Sequence, residues 1–252
     1  MLRSWIAGVV LVPIVVSATA ATAEDQDPAR RYVACMALAE SDAQQAFDQA
    51  LAWEGLGGGD AAQHCAAKAL FFLKQYGEAA TRFEALAQSV KSGPKFKAEL
   101  LGQAAQGWML ANNPQRADDV LTAAIQLNAE DPELRVDRGL ARAAYHAYRG
   151  AIEDFTRAIE LEPRDPEAFT FRATAHRYLA EMDAAAADLE KALAIDSEDP
   201  DALLERGILR RLKGDNAGAR ADWLLVIEVA PGTAAAKTAQ DNLQKMDLKV
   251  AP

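Results

Sequence analysis

The sequence predicts an all-α protein: a right-handed α-solenoid of stacked helix–turn–helix units, finished by a C-terminal capping helix. Composition is the first observation behind this. Half of the 252 residues are hydrophobic, only 7% are aromatic, and alanine recurs throughout. Alanine loses no side-chain entropy in a helix and lets helices approach closely. The second observation is negative: stretches rich in Val, Ile or Thr are scarce after residue 16, which speaks against a sheet. The third is periodicity. Asp-Pro occurs at 131–132, 165–166 and 199–200, a period of 34 residues, and a fixed period of this size marks a stacked array.

Residues 1–23 read as a signal peptide. Arg3 supplies a positive start, residues 5–16 form an uncharged apolar run, and Ala18-Thr19-Ala20 and Ala21-Thr22-Ala23 both suit a signal peptidase. The run is shorter than the roughly 20 apolar residues of a spanning helix; an uncleaved anchor is the alternative. Either way the remainder is expected outside the cytoplasm, periplasmic or secreted, with the membrane involved only through this segment. Without Arg3 the 27 basic residues become 26 against 37 acidic ones, a net charge of −11. Such a chain repels phosphate backbones, which excludes nucleic acid as a favoured partner.

Residues 24–59 read as a degenerate helical pair, split near Ser41-Asp42 and stopped by Gly57-Gly58-Gly59, with Trp53 packing on the next unit. A weak copy of the period spans 60–97 through Ala67, Ala79 and Phe83, with an insertion around Gly93-Pro94. Cys35 and Cys65 fall on the first helices of these two neighbours. An even pair in an exported chain reads as a disulfide, adding roughly 3–4 kcal/mol on the loop-entropy model. Two buried thiols, or half of a metal site, are the rival readings.

The unit 98–131 keeps the frame with Ala105, Ala117, Leu121 and Ala124. Units 132–165, 166–199 and 200–233 superpose at most positions: Gly139 falls on Ala173 and Gly207, Ala151 on Ala185 and Ala219, and Phe155 on Leu189 and Trp223. Val226 replaces Ala158 and Ala192, and Ser197 replaces Pro163 and Pro231. Each Pro stands where a helix start needs no N–H, and the Asp before it can cap. Residues 234–252 are a capping helix and tail, with Lys237, Gln240, Asp241 and Lys245 on the polar side. A helical pair cannot bury its apolar face alone, so the units must stack and the ends need caps.

This pattern resembles the tetratricopeptide repeat (TPR) family, bacterial and exported in this instance. The family's 34-residue unit wants a small residue at position eight, Ala at twenty, a bulky residue at twenty-four, Ala at twenty-seven and Pro at thirty-two. The Leu it carries before the small residue is replaced here by Arg138, Arg172 and Arg206. The resemblance implies an interaction module whose first helices border a concave, peptide-receiving groove. Groove-facing places would then include Gln106, Met109, Leu140, Ala143, Thr174, Arg177, Tyr178, Ile208 and Arg211. The basic-and-Asn clamp that some members use for acidic C-terminal peptides does not recur at its expected positions.

Two sets of charges recur with the period. Arg138, Arg172 and Arg206 are matched by Asp154, Asp188 and Asp222, while the unit 98–131 holds Ala104 and Val120 at both places. Joint loss points to a structural pair bridging the helices of a unit; an arginine row gripping an acidic ligand is the alternative. Glu99, Glu133, Glu167 and Asp201 share the second position of their units. Carboxylates in a first turn stabilise a helix by about 0.3–1 kcal/mol; alternatively they form an acidic rim that selects a basic or amine-bearing segment.

No catalytic signature stands out. His64, His146 and His176 lie on three different units, and HExxH, EF-hand, Walker and GxSxG motifs are missing. The reading calls for no cofactor, metal or catalytic residue. Glu99, Glu133, Glu167, Asp201, Arg177, Tyr178 and Arg211 are the candidate partner-binding residues of a scaffold or adaptor that docks a protein or peptide. The alternatives are a structural protein that associates with its own copies and a small-molecule or lipid-binding module.

Overall fold

The computed structural model describes residues 27–248. The signal-peptide reading of residues 1–23 and the last four residues of the tail lie outside them. Thirteen helices are found among the described residues, and no strand. The N-terminal four are α1 (Pro28–Ser41), α2 (Ala43–Gly55), α3 (Gly59–Phe72) and α4 (Tyr76–Ser89). Next come α5 (Pro94–Leu110), α6 (Pro114–Leu127), α7 (Pro132–Ala144) and α8 (Tyr148–Leu161). The array ends with α9 (Pro166–Tyr178), α10 (Met182–Ile195), α11 (Pro200–Leu212), α12 (Asn216–Val229) and the closing α13 (Ala234–Leu248). Among the described residues no helix is long and apolar enough to cross a membrane.

Local chemistry sets the helix boundaries. Asp131, Asp165 and Asp199 accept hydrogen bonds from the backbone N–H groups of Glu133, Glu167 and Asp201 at 3.1, 2.9 and 2.9 Å. Pro132, Pro166 and Pro200 then open α7, α9 and α11. After α3, α5, α7, α9 and α11 the chain reverses through a left-handed residue: Lys74, Asn112, His146, Ala180 and Gly214 all have positive φ. His146 N–H donates to Ala143 C=O at 3.0 Å and Ala147 N–H to Arg142 C=O at 2.9 Å, the paired bonds of a Schellman cap. The last four of these residues follow the 34-residue period, while Lys74 and Asn112 are four residues further apart. The insertion is one extra helical turn: α5 begins at Pro94 rather than at residue 98, and Phe96 in that turn packs edge-on to His64.

Consecutive helices pack antiparallel, and α5, α7, α9, α11 and α13 also touch one another in succession, as α1 touches α3. The even helices have no comparable mutual contact. Odd helices therefore line the inner face of a curved array, with even helices outside. At the N-terminal end Cys35 and Cys65 form a disulfide that ties α1 to α3, with Cα atoms 6.1 Å apart. Alongside it the buried His64 bridges Tyr32 Oη at 2.6 Å and Gln103 Oε1 at 3.2 Å, and burial lowers its pKa.

The core alternates in size from unit to unit. A Cβ placed on Gly139 would stand 2.5 Å from the Phe155 ring, and one on Gly207 would collide with Trp223. Where the bulky residue is the smaller Leu189, the facing small residue is Ala173; both are buried, as are Phe155 and Trp223. Glycine thus sits where an aromatic ring needs the space of a methyl group. Gly139→Ala should lower stability by about 1–3 kcal/mol through overpacking, and adding Phe155→Leu should restore part of it. Urea unfolding of the two single variants and the double variant measures this; independent, additive losses would contradict the fit.

Candidate protein-interaction groove

The recurring arginines and aspartates meet inside each unit. Arg138 on α7 donates to both carboxylate oxygens of Asp154 on α8, Nε at 3.0 Å and Nη2 at 2.5 Å. Arg172 grips Asp188 at 2.8 and 2.7 Å, and Arg206 grips Asp222 at 3.1 and 2.7 Å. The three carboxylates are buried. The fork reaches further: Arg138 and Arg172 also donate to Thr122 and Thr156 of the preceding unit at 3.2 and 3.0 Å. One guanidinium thus joins three helices. In the unit before α7, Ala104 and Val120 are buried at the two equivalent places, and Glu84 instead receives Trp108 Nε1 at 2.5 Å and Arg116 Nη2 at 2.5 Å.

A second nitrogen-bearing side chain per unit joins the carboxylate and escapes the sequence reading, and Arg135 adds a third near Asp154 at 3.7 Å. Arg142 donates to Asp154 Oδ2 at 2.8 Å, and Arg210 to Asp222 Oδ2 at 2.7 Å. His176 holds that place in the middle unit, 3.9 Å from Asp188 and 2.7 Å from Glu181. With the forks committed inward, this ladder presents no free guanidinium row to a ligand.

The inner face is organised around Leu140 on α7, which lines three adjoining cavities. The first, about 320 Å³, is walled mainly by Phe71, Met109, Leu110, Leu121 and Ala105, with Gln106 and Asp137 at its edge. The second, about 530 Å³, is acidic, with Glu133, Asp137, Glu162, Asp165 and Glu167 beside Arg164 and Phe171. The third, about 210 Å³, is aromatic, lined by Tyr148, Phe155, Phe171 and Tyr178 with Ala143, Thr174 and His146. Tyr178 stacks on Tyr148 with ring centres 4.7 Å apart and planes 3° from parallel.

The groove places therefore divide. Gln106, Met109, Leu140, Ala143, Thr174 and Tyr178 line these cavities. Arg177 does not reach out: it pairs with the buried Glu205 on α11 and lies 4.5 Å over the Tyr178 ring. Ile208 and Arg211 are half-buried further along, outside the three cavities. Of the acidic ladder, Glu133, Glu167 and Asp201 are exposed in the first turns of α7, α9 and α11. Glu99 is exposed in the second turn of α5, because that helix starts a turn early. Partial desolvation, then Asp165, Asp199 and Asp201, raise the Glu167 pKa; desolvation and Asp199 raise that of Asp201.

Asp137 is the residue that sequence reading misses. It has no periodic counterpart of like charge in the next unit, where Phe171 stands, and the search for recurring charges passes over it. Burial, then Glu133 and Asp131, push its carboxyl up to about 6. Among the described residues neither it nor Glu133, Glu167 or Asp201 has an ion-pair partner, and no group of three or more His, Cys, Asp or Glu is placed to hold a metal ion.

No protein-family model matches the chain, and no curated protein matches it. Solved structures do. TTC0263, a thermophilic TPR protein in Thermus thermophilus, is 19% identical with a TM-score of 0.59, covering 73% of this chain and 99% of that one. YrrB, a TPR protein with an unusual peptide-binding site, is 18% identical with a TM-score of 0.55, covering 77% and 97%. MamA is 18% identical with a TM-score of 0.55, covering 72% and 96%.

The chain has the tetratricopeptide-repeat fold.

Within that TPR array the ionic clusters and the groove make separate predictions. Asp154→Val removes the shared partner of Arg135, Arg138 and Arg142 and should cost about 3–5 kcal/mol, chiefly through the uncompensated Arg138. Combining it with Arg138→Ala should cost less, since Arg142 keeps Asp118 at 3.1 Å and the 98–131 unit already tolerates that pair of residues. Chemical denaturation of both variants reads the difference. Asp137 gives the opposite sign. Its folded-state pKa lies above the ordinary carboxylate value, so the folded TPR array holds this proton more tightly and loses stability as pH rises through about 6. Asp137→Asn should stabilise at pH 7.5, by on the order of 1–2 kcal/mol after allowing for solvent screening, and the gain should vanish below pH ~4. Melting curves at the two pH values check it.

Proposed function

We propose that this chain is a non-enzymatic scaffold or adaptor of the cell envelope whose concave groove receives an extended segment or helix of a partner protein. The observation that carries the reading is the set of three adjoining cavities around Leu140 on the inner face. They offer apolar, aromatic and acidic surface side by side, which is the mixture that fixes side chains of a bound segment. The described peptide-binding site of YrrB is a precedent on the same fold for ligand capture by such an array. A periplasmic location is supported by the Cys35–Cys65 disulfide, which persists in an oxidising compartment, and by the signal-like residues 1–23.

An envelope crosslinking pull-down tests the reading. Wild type is compared with Leu140→Glu and with the triple variant Glu133→Lys/Glu167→Lys/Asp201→Lys, each first shown to be folded by its thermal melt. A specific protein captured by wild type should be lost at least tenfold with Leu140→Glu, the equivalent of about 1.4 kcal/mol. Equal capture by that variant moves the site off the groove. Capture of its own copies alone would instead mark a self-assembling protein.

A further inference from the structure

The groove is asymmetric in a way that identifies the chemistry of its occupant. Glu205 on α11 occupies the place on its helix that Asp137 occupies on α7, two 34-residue periods earlier. Glu205 is neutralised within the chain: Arg177, 28 residues before it on the neighbouring inner helix, pairs with it. The residue 28 before Asp137 is Met109 on α5. Met109 and Asp137 line the same cavity, so the carboxylate shares its cavity with a thioether where its counterpart is paired with a guanidinium. Glu133 and Glu167 extend the negative charge along the adjoining cavity. Arg164, which lines that cavity, makes no ion pair with Asp137 among the described residues.

Resting on the groove reading above, we propose that the bound segment brings the missing cation. Its occupant is an extended peptide with an aliphatic or aromatic side chain in the cavity walled by Phe71, Met109 and Leu140, and a lysine or arginine side chain within two residues of it against Asp137. The internal Arg177–Glu205 pair is the geometric template for that contact. Charge complementarity selects the segment and an apolar anchor holds it, a division of labour general to interfaces. The raised pKa of Asp137 agrees with a carboxylate kept ready for a cation that none of the described residues supplies.

The test uses an immobilised random library of N-terminally acetylated decapeptides probed with the labelled chain, alongside the same library with free amines. Bound acetylated peptides should be enriched in Lys or Arg within two residues of a large apolar residue. For the best such peptide in solution, Asp137→Asn should weaken binding about tenfold, the size of one well-formed ion pair. Met109→Arg, which builds in the cation, should weaken it at least as much while raising the melting temperature. That variant separates loss of recognition from loss of fold. Acetylated peptides selected without basic enrichment, or bound equally by wild type and Asp137→Asn, would overturn the inference. They would leave the groove reading standing if Leu140→Glu still abolished them. Binding confined to the free-amine library would replace the side-chain cation by a terminal amine and also overturn it. Absence of any peptide sensitive to Leu140→Glu would remove the groove reading, and this inference with it.

Discussion

The approach of the two helices within each unit is the constraint on which the rest depends. Phe155 and Trp223 fill the space between helices only because Gly139 and Gly207 leave room for their rings, and the unit with Leu189 closes the gap with Ala173. Once a pair packs at this distance, its remaining apolar surface must be covered by the next pair. Odd helices then touch odd helices, the array curves, and an inner face exists. The groove is thus a consequence of side-chain volume at a handful of positions.

Charge enters this packing in an unusual place. Asp154, Asp188 and Asp222 are buried beside the aromatic and aliphatic core, where a lone carboxylate would be costly. Each is compensated by a bidentate arginine, and two of them by a second arginine. These clusters also orient units, since Arg138 and Arg172 reach back to threonines of the preceding one. Buried ion pairs contribute little net stability, but they punish a misregistered stack by leaving charge unpaired. The apolar core is divided into one large cluster running from α3 to α7 and another from α9 to α13, with a smaller one between them and two small ones at the N-terminal end.

The inner face obeys a different rule. Around the groove cavities Asp137, Glu133 and Glu167 have no ion-pair partner among the described residues, and Asp137 is held partly desolvated beside an apolar cavity. A charge that opposes folding and finds no partner among the described residues belongs to the class of groups that functional sites retain at the expense of stability. The contrast with Glu205, which has Arg177, makes the difference local to one unit and ties it to one face.

Much of this was open to reading in the chain itself. The 34-residue period, the Asp-Pro helix starts and the small–bulky alternation are local or strictly repeated, and helix propensity, capping and sterics act on a few neighbouring residues at a time. They determine the helices and their stacking order. The joint absence of Arg138 and Asp154 equivalents at Ala104 and Val120 likewise carries information about contact, because a buried charge cannot stand alone. What only the tertiary structure decided is non-periodic. The frame shows an insertion around Gly93-Pro94, but only the structure shows it to be an extra turn that starts α5 at Pro94 and moves Glu99 out of the first turn. The role of Arg142 depends on a reach across helices, and Arg177 looks like a groove residue until Glu205 is found beside it. Asp137 differs from an ordinary surface acid only by what lies opposite, a methionine instead of an arginine. Sequence period fixes which residues are equivalent; desolvation and pairing depend on distances between helices, and those exist only in the folded array.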